Sequence, residues 1–249
     1  MLLPCNMRSE RIKPICMQVY KSNSVFVLLI SLGVNFSSCQ KNGDGGEGGG
    51  SGNFTVTFKY DLPSTCSEMF LTSRHDNLNR PYLYVAAKEG GLKIFDVSGS
   101  PLLVKTIAIT NFSSLHVMNI SQNGNYLYLA LGNHFGTAVQ SPGFAIIDIA
   151  NPANAVVKSY WSNISLTGGS GIIETEGNYA YLGAMKNGLM IFDITDKTLP
   201  VQKSAFLPSI TFPDPNPDPN KYNARGKKIK NDIVYLCYDA GGLRIINAV

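Results

Sequence analysis

The chain has 249 residues, with 21 Lys or Arg and 17 Asp or Glu, and a formal net charge of +4. Most of that excess lies in residues 1–38, because residues 39–249 hold 17 bases and 16 acids, a net charge of +1. This near-neutral balance excludes a protein that binds nucleic acid through a basic surface. The length suffices for one domain with a sizeable core.

The first 38 residues resemble an export signal. An apolar run over residues 25–34 follows Lys21, and its length of about ten residues suits a signal-peptide core but not a membrane span, which needs roughly 20. Ser37 and Ser38 precede Cys39 and resemble the lipobox of bacterial lipoproteins, in which the Cys is acylated and becomes the mature N-terminus, although Phe36 stands where Leu is usual. We expect Cys39 to carry a lipid anchor; the alternative is an ordinary signal peptide with an incidental Cys.

A glycine-rich segment follows Cys39. Seven of the ten residues from 43 to 52 are Gly, a composition that cannot bury apolar surface and behaves as a flexible linker. The expected organisation is therefore a leader over residues 1–38, a lipidated Cys with its linker over 39–53, and a folded domain over 54–249.

One short motif recurs through the folded domain. Residues 90–97 read Gly-Gly-Leu-Lys-Ile-Phe-Asp-Val, and similar runs return at 143–149, 188–194 and 241–248. The aligned acidic or amide residues are Asp96, Asp148, Asp193 and Asn247. Their spacing near fifty residues is that of a supersecondary repeat.

Each motif lies among other strand-like runs. Runs rich in Tyr, Val and Ile precede it at 82–85, 126–129, 179–182 and 233–236, and further runs flank these pairs at 102–109, 115–121, 155–161, 171–176, 201–207 and 226–231. The motif strands are apolar on both faces, so each sheet must be covered on both sides. A radial stack satisfies this demand and predicts an all-β fold, a β-propeller of four-stranded antiparallel blades.

The repeated motif resembles the LVIVD repeat family of bacterial surface and secreted proteins. The resemblance covers about residues 54–249, with three good copies and one that is cut short, and Asn247 is the main departure from the pattern. It implies a β-propeller, and because the family has no common activity or ligand, it implies little chemistry.

Residues 54–61 precede the first complete set of four strands and resemble the fourth strand of a repeat. Closure of the propeller ring depends on this extra strand. This single strand, three complete sets of four and a final set of three make sixteen strands, or four blades of four. The N-terminal strand would then close the last blade. The competing interpretation is part of a larger propeller, since propellers have roughly 4 to 8 blades.

The recurrent Asp residues could be interpreted as a ring of metal ligands. However, Asp96, Asp148 and Asp193 each precede a turn that ends in Pro. We expect the carboxylates to accept backbone N–H bonds there. Asp214 and Asp218, in the Pro-rich loop 213–220, lack the spacing of a calcium loop. The sequence therefore predicts no metal site and no cofactor.

The candidate binding face is the end of the propeller that carries the two longest connections, residues 132–143 and 208–225. Its aromatic and amide side chains suit a protein or carbohydrate ligand, whereas the alternative is that they hold long loops on their own scaffold. The candidate residues are His134, Phe135, Gln140, Trp161, Phe212 and Tyr222.

No catalytic residue is predicted. The histidines are His75, His116 and His134, and neither a Gly-x-Ser-x-Gly, a His-Glu-x-x-His nor a phosphate-binding loop is present. We expect His116 in the core and His75 with Asp76 in an exposed turn. A hydrolase or lyase site assembled from several blades stays open as an alternative.

Two further groups of residues are expected to be structural. Lys227, Lys228 and Lys230 suggest a solvated strand edge. Cys66 and Cys237 are expected to be buried free thiols, with a disulfide between them as the alternative.

The sequence thus predicts a monomeric, lipid-anchored β-propeller of the Gram-negative envelope, an outer-membrane lipoprotein that faces the periplasm or the cell surface and acts as a binding or scaffolding module. The alternatives are an envelope enzyme and a non-functional fragment of a larger propeller.

Overall fold

The computed structural model describes residues 27–28, 60–61, 71–136, 139–211 and 215–248. Its contacts divide the chain into two units, Met1–Ser64 and Thr65–Val249. In the first unit, strand β1 (Val27–Leu28) pairs antiparallel with β2 (Tyr60–Asp61). The expected lipidation site Cys39, the linker, Cys66 and Phe212 lie outside the described residues.

The second unit contains four antiparallel sheets, each built from strands that are consecutive in the chain. Blade 1 consists of β3 (Thr72–His75), β4 (Tyr82–Ala86), β5 (Leu92–Asp96) and β6 (Leu102–Ile107). Blade 2 consists of β7 (Val117–Asn123), β8 (Tyr126–Leu131), β9 (Gly143–Asp148) and β10 (Val156–Ser162). Blade 3 consists of β11 (Ile172–Glu176), β12 (Tyr179–Gly183), β13 (Leu189–Asp193) and β14 (Val201–Phe206). Blade 4 has three described strands, β15 (Gly226–Lys230), β16 (Ile233–Cys237) and β17 (Leu243–Asn247).

The helical content of the described residues is limited to short 3₁₀ turns. They are Ile109–Phe112, Pro152–Asn154, Pro219–Lys221 and Asp239–Gly241. No helix of the described residues is long and apolar enough to cross a membrane.

The first strand of each blade lies beside the first strand of the next. Arg74 Nε on β3 donates to the carbonyl oxygen of Ile120 on β7 at 3.2 Å. The backbone N–H of Ile173 on β11 donates to Asn119 Oδ1 on β7 at 3.5 Å. Lys228 Nζ on β15 lies 3.4 Å from Glu174 Oε1 on β11. The innermost strands thus lie side by side from blade 1 to blade 4, which confirms an all-β, propeller-like array of antiparallel blades, three of them with four described strands.

The hydrophobic core lies between blades. In each blade, one face of the second and third strands points toward the following blade, and we call it the leading face; the opposite face is the trailing face. The leading face of blade 1 includes Tyr84, Leu92 and Ile94, which cluster with Leu127 and Ile147 of blade 2. Blades 2 and 3, and blades 3 and 4, share clusters of the same kind. Every internal blade is therefore covered on both sides, as the apolar motif strands require.

The described residues do not show the ring closure expected from residues 54–61. Tyr60 and Asp61 pair with β1, residues 54–59 lie outside the described part, and the sheet of blade 4 runs β15-β16-β17. The leading face of blade 4 is correspondingly open, and Cys237 on this face is exposed. The expectation that Cys237 is buried is wrong for this reason.

The turn-fixing role of the repeated Asp is confirmed. Oδ1 of Asp96, Asp148 and Asp193 accepts the N–H of the residue two positions later, Ser98, Ala150 and Thr195, at 2.8 to 2.9 Å. In blades 2 and 3 the following strand has a bulge at Lys158 or Lys203, whose ammonium lies 3.4 Å from Asp148 or 3.6 Å from Asp193. The motif Asp thus fixes the turn between the third and fourth strands.

Candidate ligand-binding face

The connections between second and third strands and those between successive blades emerge at one end of the propeller, which we call the loop face. This follows from the up-and-down strand order, and it places residues 132–142 and 207–225 at the same end, as predicted. The opposite end carries the short turns with the repeated Asp.

Backbone bridges connect the blades along the loop face. Lys88 and Val117 exchange two hydrogen bonds of 3.0 Å, the N–H of Ser170 donates to Gly132 O at 3.1 Å, and the N–H of Ala224 donates to Met185 O at 2.9 Å. Gly132 is required at its place, because its φ is +101° and a Cβ there would lie 2.0 Å from Ser141 O. The loop face is therefore a connected surface rather than a set of separate loops.

Gln140 holds the longest loop of blade 2 in place. Its Oε1 accepts the N–H of His116 at 2.9 Å and of Asn133 at 2.8 Å, while its Nε2 donates to Ser114 O at 2.9 Å. A side-chain amide has one oxygen and one NH₂ group, and both are used here on the backbone. The structure assigns Gln140 to the scaffold of the loop face.

His134 and Phe135 lie half-buried in the same loop, with ring centroids 4.2 Å apart. Lys88, which is 1% exposed, places its ammonium 5.8 Å from the Phe135 ring centroid. His134 Nδ1 lies 3.2 Å from Ser170 O, and because a carbonyl only accepts, Nδ1 carries the proton. Burial, with the charge of Arg225 adding to it, lowers the pKa of His134 to about 4, so the ring is neutral at physiological pH.

Two of the aromatic residues predicted to contact a ligand pack against the scaffold instead, Trp161 partly buried and Tyr222 fully buried. Trp161 lies on β10 with its ring centroid 4.6 Å from that of Phe192 in blade 3. Tyr222 is 2% exposed and packs edge-on against Tyr238, with centroids 5.8 Å apart. Both side chains hold neighbouring segments of the scaffold together, and this is the structural role given above as the alternative to ligand binding.

The loop face also exposes aliphatic side chains that were not among the predicted site residues. Val139 is 42% exposed, Leu207 is 60% exposed and Ile164 is 87% exposed, each in a connection at this end. Single aliphatic residues in loops give no sequence signal, because exposure depends on how the loops fold against each other.

The opposite end contains a buried polar cluster where an exposed turn was expected. Asp76 is only 8% exposed, and its Oδ2 accepts hydrogen bonds from Arg80 Nη2 at 2.7 Å and from Tyr84 at 2.5 Å. Arg80 Nη1 also donates to the carbonyl oxygen of Ile149 in blade 2 at 2.8 Å. The expectation was right for the exposed His75 and wrong for Asp76, whose partners stand four and eight residues away in the chain.

Lys227 also departs from expectation. Lys228 and Lys230 are exposed, but Lys227 is 7% exposed on the innermost strand of blade 4, and its Nζ has no hydrogen-bond partner among the described residues. Burial lowers the pKa of Lys227 to about 7. Lys227 pairs with Leu236 as Ile173 pairs with Leu182, so it stands where blade 3 has a core isoleucine.

Metal-binding geometry is lacking in the part of the chain that the structure describes. No group of three or more His, Cys, Asp or Glu side chains lies close enough there to hold an ion.

The fold and the inter-blade contacts define a β-propeller assembled from an internal sequence repeat. Three stretches, residues 80–106, 116–161 and 168–207, match the model of the LVIVD repeat. These stretches are therefore LVIVD repeats, as the motif predicted. The matched stretches correspond to β4–β6 of blade 1 and to most of blades 2 and 3.

Solved structures give more distant similarities. The computationally designed Ika4 protein is 12% identical, with a TM-score of 0.46 over 69% of this chain and 88% of that one. The β-propeller domain of Cps50 (Swd1) from Myceliophteria thermophila is 13% identical, with a TM-score of 0.37 over 68% of this chain and 58% of that one. A comparison with curated proteins finds none that matches.

Proposed function

We propose that this protein is a lipid-anchored module of the bacterial envelope that binds a protein partner through its loop face and catalyses no reaction. LVIVD repeats are found in bacterial extracellular proteins, which agrees with an export signal. The Ser-Ser-Cys sequence ending at Cys39 and the Gly-rich linker after it support attachment to the membrane by a flexible tether.

The observation that carries the proposal is the exposed aliphatic set Val139, Ile164 and Leu207 at one end of a backbone-bridged surface. Protein interfaces combine an apolar centre with a polar rim, and these side chains would supply the apolar part. Trp161 and Tyr222, two of the aromatic residues predicted to contact a carbohydrate, are instead packed in the scaffold. The loop face therefore favours a protein over a carbohydrate.

The anchor is tested by following lipid incorporation in cells. We expect the full chain to take up an alkyne-labelled fatty acid and to sediment with membranes, and Cys39→Ala to lose both properties. Protease treatment of intact cells then reports periplasmic or surface orientation. A wild-type chain that is secreted without label would disprove the lipid anchor and leave the binding proposal standing.

The partner is tested by site-specific photocrosslinking. A photoreactive amino acid at Ile164 or Leu207 should give a discrete crosslinked species in cells, whereas the same residue at Leu199 should not. Leu199 is a matched control because it is 68% exposed and lies in a turn at the opposite end. Equal crosslinking at all three positions would contradict a loop-face partner.

The second candidate function is an enzyme with a site built from several blades. His134 has a strongly lowered pKa, which is influenced by the charges of Lys88, Arg225 and Asp239. These groups come from blades 1, 2 and 4 and meet at the loop face. Turnover of ester, amide or glycoside model substrates that disappears in His134→Gln would establish this candidate; absence of turnover in the wild-type chain would remove it.

A further inference from the structure

The interface between blades 3 and 4 differs at one core position from the two interfaces that precede it. On the innermost strands of blades 2, 3 and 4, Ile120, Ile173 and Lys227 are equivalent, because each pairs with the corresponding leucine of the second strand in its blade. Ile120 and Ile173 belong to the hydrophobic clusters that join their blades to the preceding ones. At the interface of blade 4 with blade 3, a lysine occupies the place of these isoleucines.

The amino group of Lys227 is buried at this interface. Lys227 lies on the same face of β15 as Ile229, which packs in the hydrophobic cluster that joins blade 4 to blade 3. Its Nζ is buried and has no hydrogen-bond partner among the described residues. An ammonium without a partner is costly to bury, whereas a neutral amine costs much less. The packing of blade 4 on blade 3 therefore favours the neutral form of Lys227.

The ionisable groups around Lys227 offset this burial only in part. The negative charge of Glu174 on β11 favours the charged form of Lys227, but Oε1 of Glu174 lies 3.4 Å from Nζ of Lys228, whose positive charge acts in the opposite direction. The other ionisable groups in the cluster are the phenols of Tyr181, Tyr222 and Tyr238. Burial raises the pKa of Tyr181 and of Tyr238, so these two phenols are neutral at physiological pH.

The remaining contacts between blades 3 and 4 lie at the two ends of the interface. At the loop face, the N–H of Ala224 donates to Met185 O at 2.9 Å. At the opposite end, the carboxylate of Glu176 accepts the N–H groups of Asn231 and Asp232, each at 3.1 Å. Blade 4 shares a hydrophobic cluster with blade 3 alone, so the charge of Lys227 acts on the main contact that holds this terminal blade.

We propose that Lys227 makes the docking of blade 4 on blade 3 dependent on pH, with the neutral side chain in the docked form and the charged side chain in an opened form. The pKa of Lys227 is lowered from 10.5 to about 7 in the docked form. Between these values the opened form binds more protons, so docking tightens as pH rises, by about tenfold per pH unit, and is constant below pH 7.

The opening of blade 4 would also change the loop face. Arg225 and Asp239 belong to blade 4 and form an ion pair of 2.8 Å at that end. An opened blade 4 would withdraw both residues from the rest of the loop face, which would weaken binding there toward neutral pH. This consequence rests on the proposed function, whereas the docking of blade 4 does not.

The test is hydrogen exchange of the full 249-residue chain between pH 7.5 and pH 9.5, with each rate divided by the intrinsic rate of the unfolded chain. The protection of amides in β15 and β16 should rise about tenfold per pH unit, while amides of β8 and β9 should not follow. Lys227→Met should give high protection at pH 7.5 that no longer depends on pH. Lys230→Met is the matched control, because Lys230 is exposed on the same strand, and it should keep the wild-type dependence.

Nuclear magnetic resonance of lysine labelled with carbon-13 provides a second measurement on the unsubstituted chain. One Cε resonance, absent from Lys227→Met, should titrate with a midpoint near pH 7. A midpoint above pH 10 for Lys227 overturns the proposal. Protection of blade 4 that does not change with pH, or that rises equally in Lys227→Met, also overturns it. Both measurements are made without a partner, so they decide the docking of blade 4 whether or not the loop face binds a protein.

Discussion

The hydroxyl of Tyr84 lies 2.5 Å from Oδ2 of Asp76, which joins the leading face of blade 1 to the turn between its first two strands. Arg80 donates to the same carboxylate at 2.7 Å and also reaches the carbonyl oxygen of Ile149 in blade 2. The cluster therefore connects two blades at the end opposite the loop face.

Loss of the Asp76 carboxylate should destabilise the propeller and change its response to acid. Burial alone would raise the pKa of Asp76, but hydrogen bonds from Arg80 and Tyr84 outweigh it and lower the pKa below the usual 3.8. The stabilisation is complete above the unfolded-state pKa and is lost as pH falls through the folded-state pKa. Asp76→Asn should cost about 1 to 3 kcal/mol at pH 7.

Urea unfolding at several pH values checks this prediction. The difference in unfolding free energy between the wild type and Asp76→Asn should shrink from pH 5 toward pH 2. Tyr84→Phe, which keeps the carboxylate, should lose about 1 kcal/mol. A difference that stays constant down to pH 2 would show that the Asp76 charge does not contribute.

Replacement of Lys227 by Met should stabilise the protein, because a buried ammonium that finds no hydrogen-bond partner among the described residues is replaced by an apolar side chain of similar length. The pKa of Lys227 is lowered from 10.5 to about 7, so the unfolded chain binds more protons between those values. Wild-type stability should therefore rise with pH across this window relative to Lys227→Met.

Thermal melts of both proteins from pH 6 to pH 10 measure this effect. The advantage of Lys227→Met should be largest at pH 6 to 7 and should narrow toward pH 10. Lys230→Met is the control, because Lys230 is exposed on the same strand. A destabilised Lys227→Met would mean that the ammonium has a stabilising role at the inner strand.

Removal of the Gln140 side chain should loosen the loop face while the blades stay folded. Gln140→Ala leaves the N–H groups of His116 and Asn133 without their acceptor, which should cost about 1 to 3 kcal/mol. Hydrogen exchange at residues 132–143 should accelerate, and any loop-face crosslink at Ile164 should weaken. Unchanged exchange in this loop would contradict the scaffold role of Gln140.

The contribution of the repeated Asp to its turn can be tested at Asp193, with Asn as the control replacement. Asp193→Ala removes the acceptor for the N–H of Thr195 and should cost about 1 kcal/mol, whereas Asp193→Asn retains a side-chain oxygen and should cost less. Blade 4 has Asn247 at the equivalent position. Equal losses in the two variants, measured by urea unfolding, would show that the charge and its contact with Lys203 matter more than the turn.

The sequence predicted the blades because their information is local and repeated. The Tyr-rich strands, the motif strands and the Asp turns recur in the same order and with similar spacing in each repeat. Each lies close to its predicted bounds. β3 was not named, since Thr72–His75 lacks the apolar residues of the other strands.

The candidate site was predicted less well because it depends on contacts between blades. Trp161 and Tyr222 are aromatic residues near loops, a pattern that does not separate a ligand platform from a packed scaffold. Asp76 and Lys227 were expected at the surface because burial of a charge gives no local sequence signal. The exposed face of blade 4 also escaped notice, since its residues are the same as those that blades 1 to 3 bury.

The placement of the hydrophobic clusters between blades, rather than within them, makes stability a property of adjacent pairs. Cooperativity should then be of the nearest-neighbour kind, with unfolding that begins at a terminal blade and proceeds inward. Blade 2 contributes to two clusters and blade 4 to one, so a single excised blade would have no core of its own. The smallest autonomous folding unit of this architecture is a pair of blades.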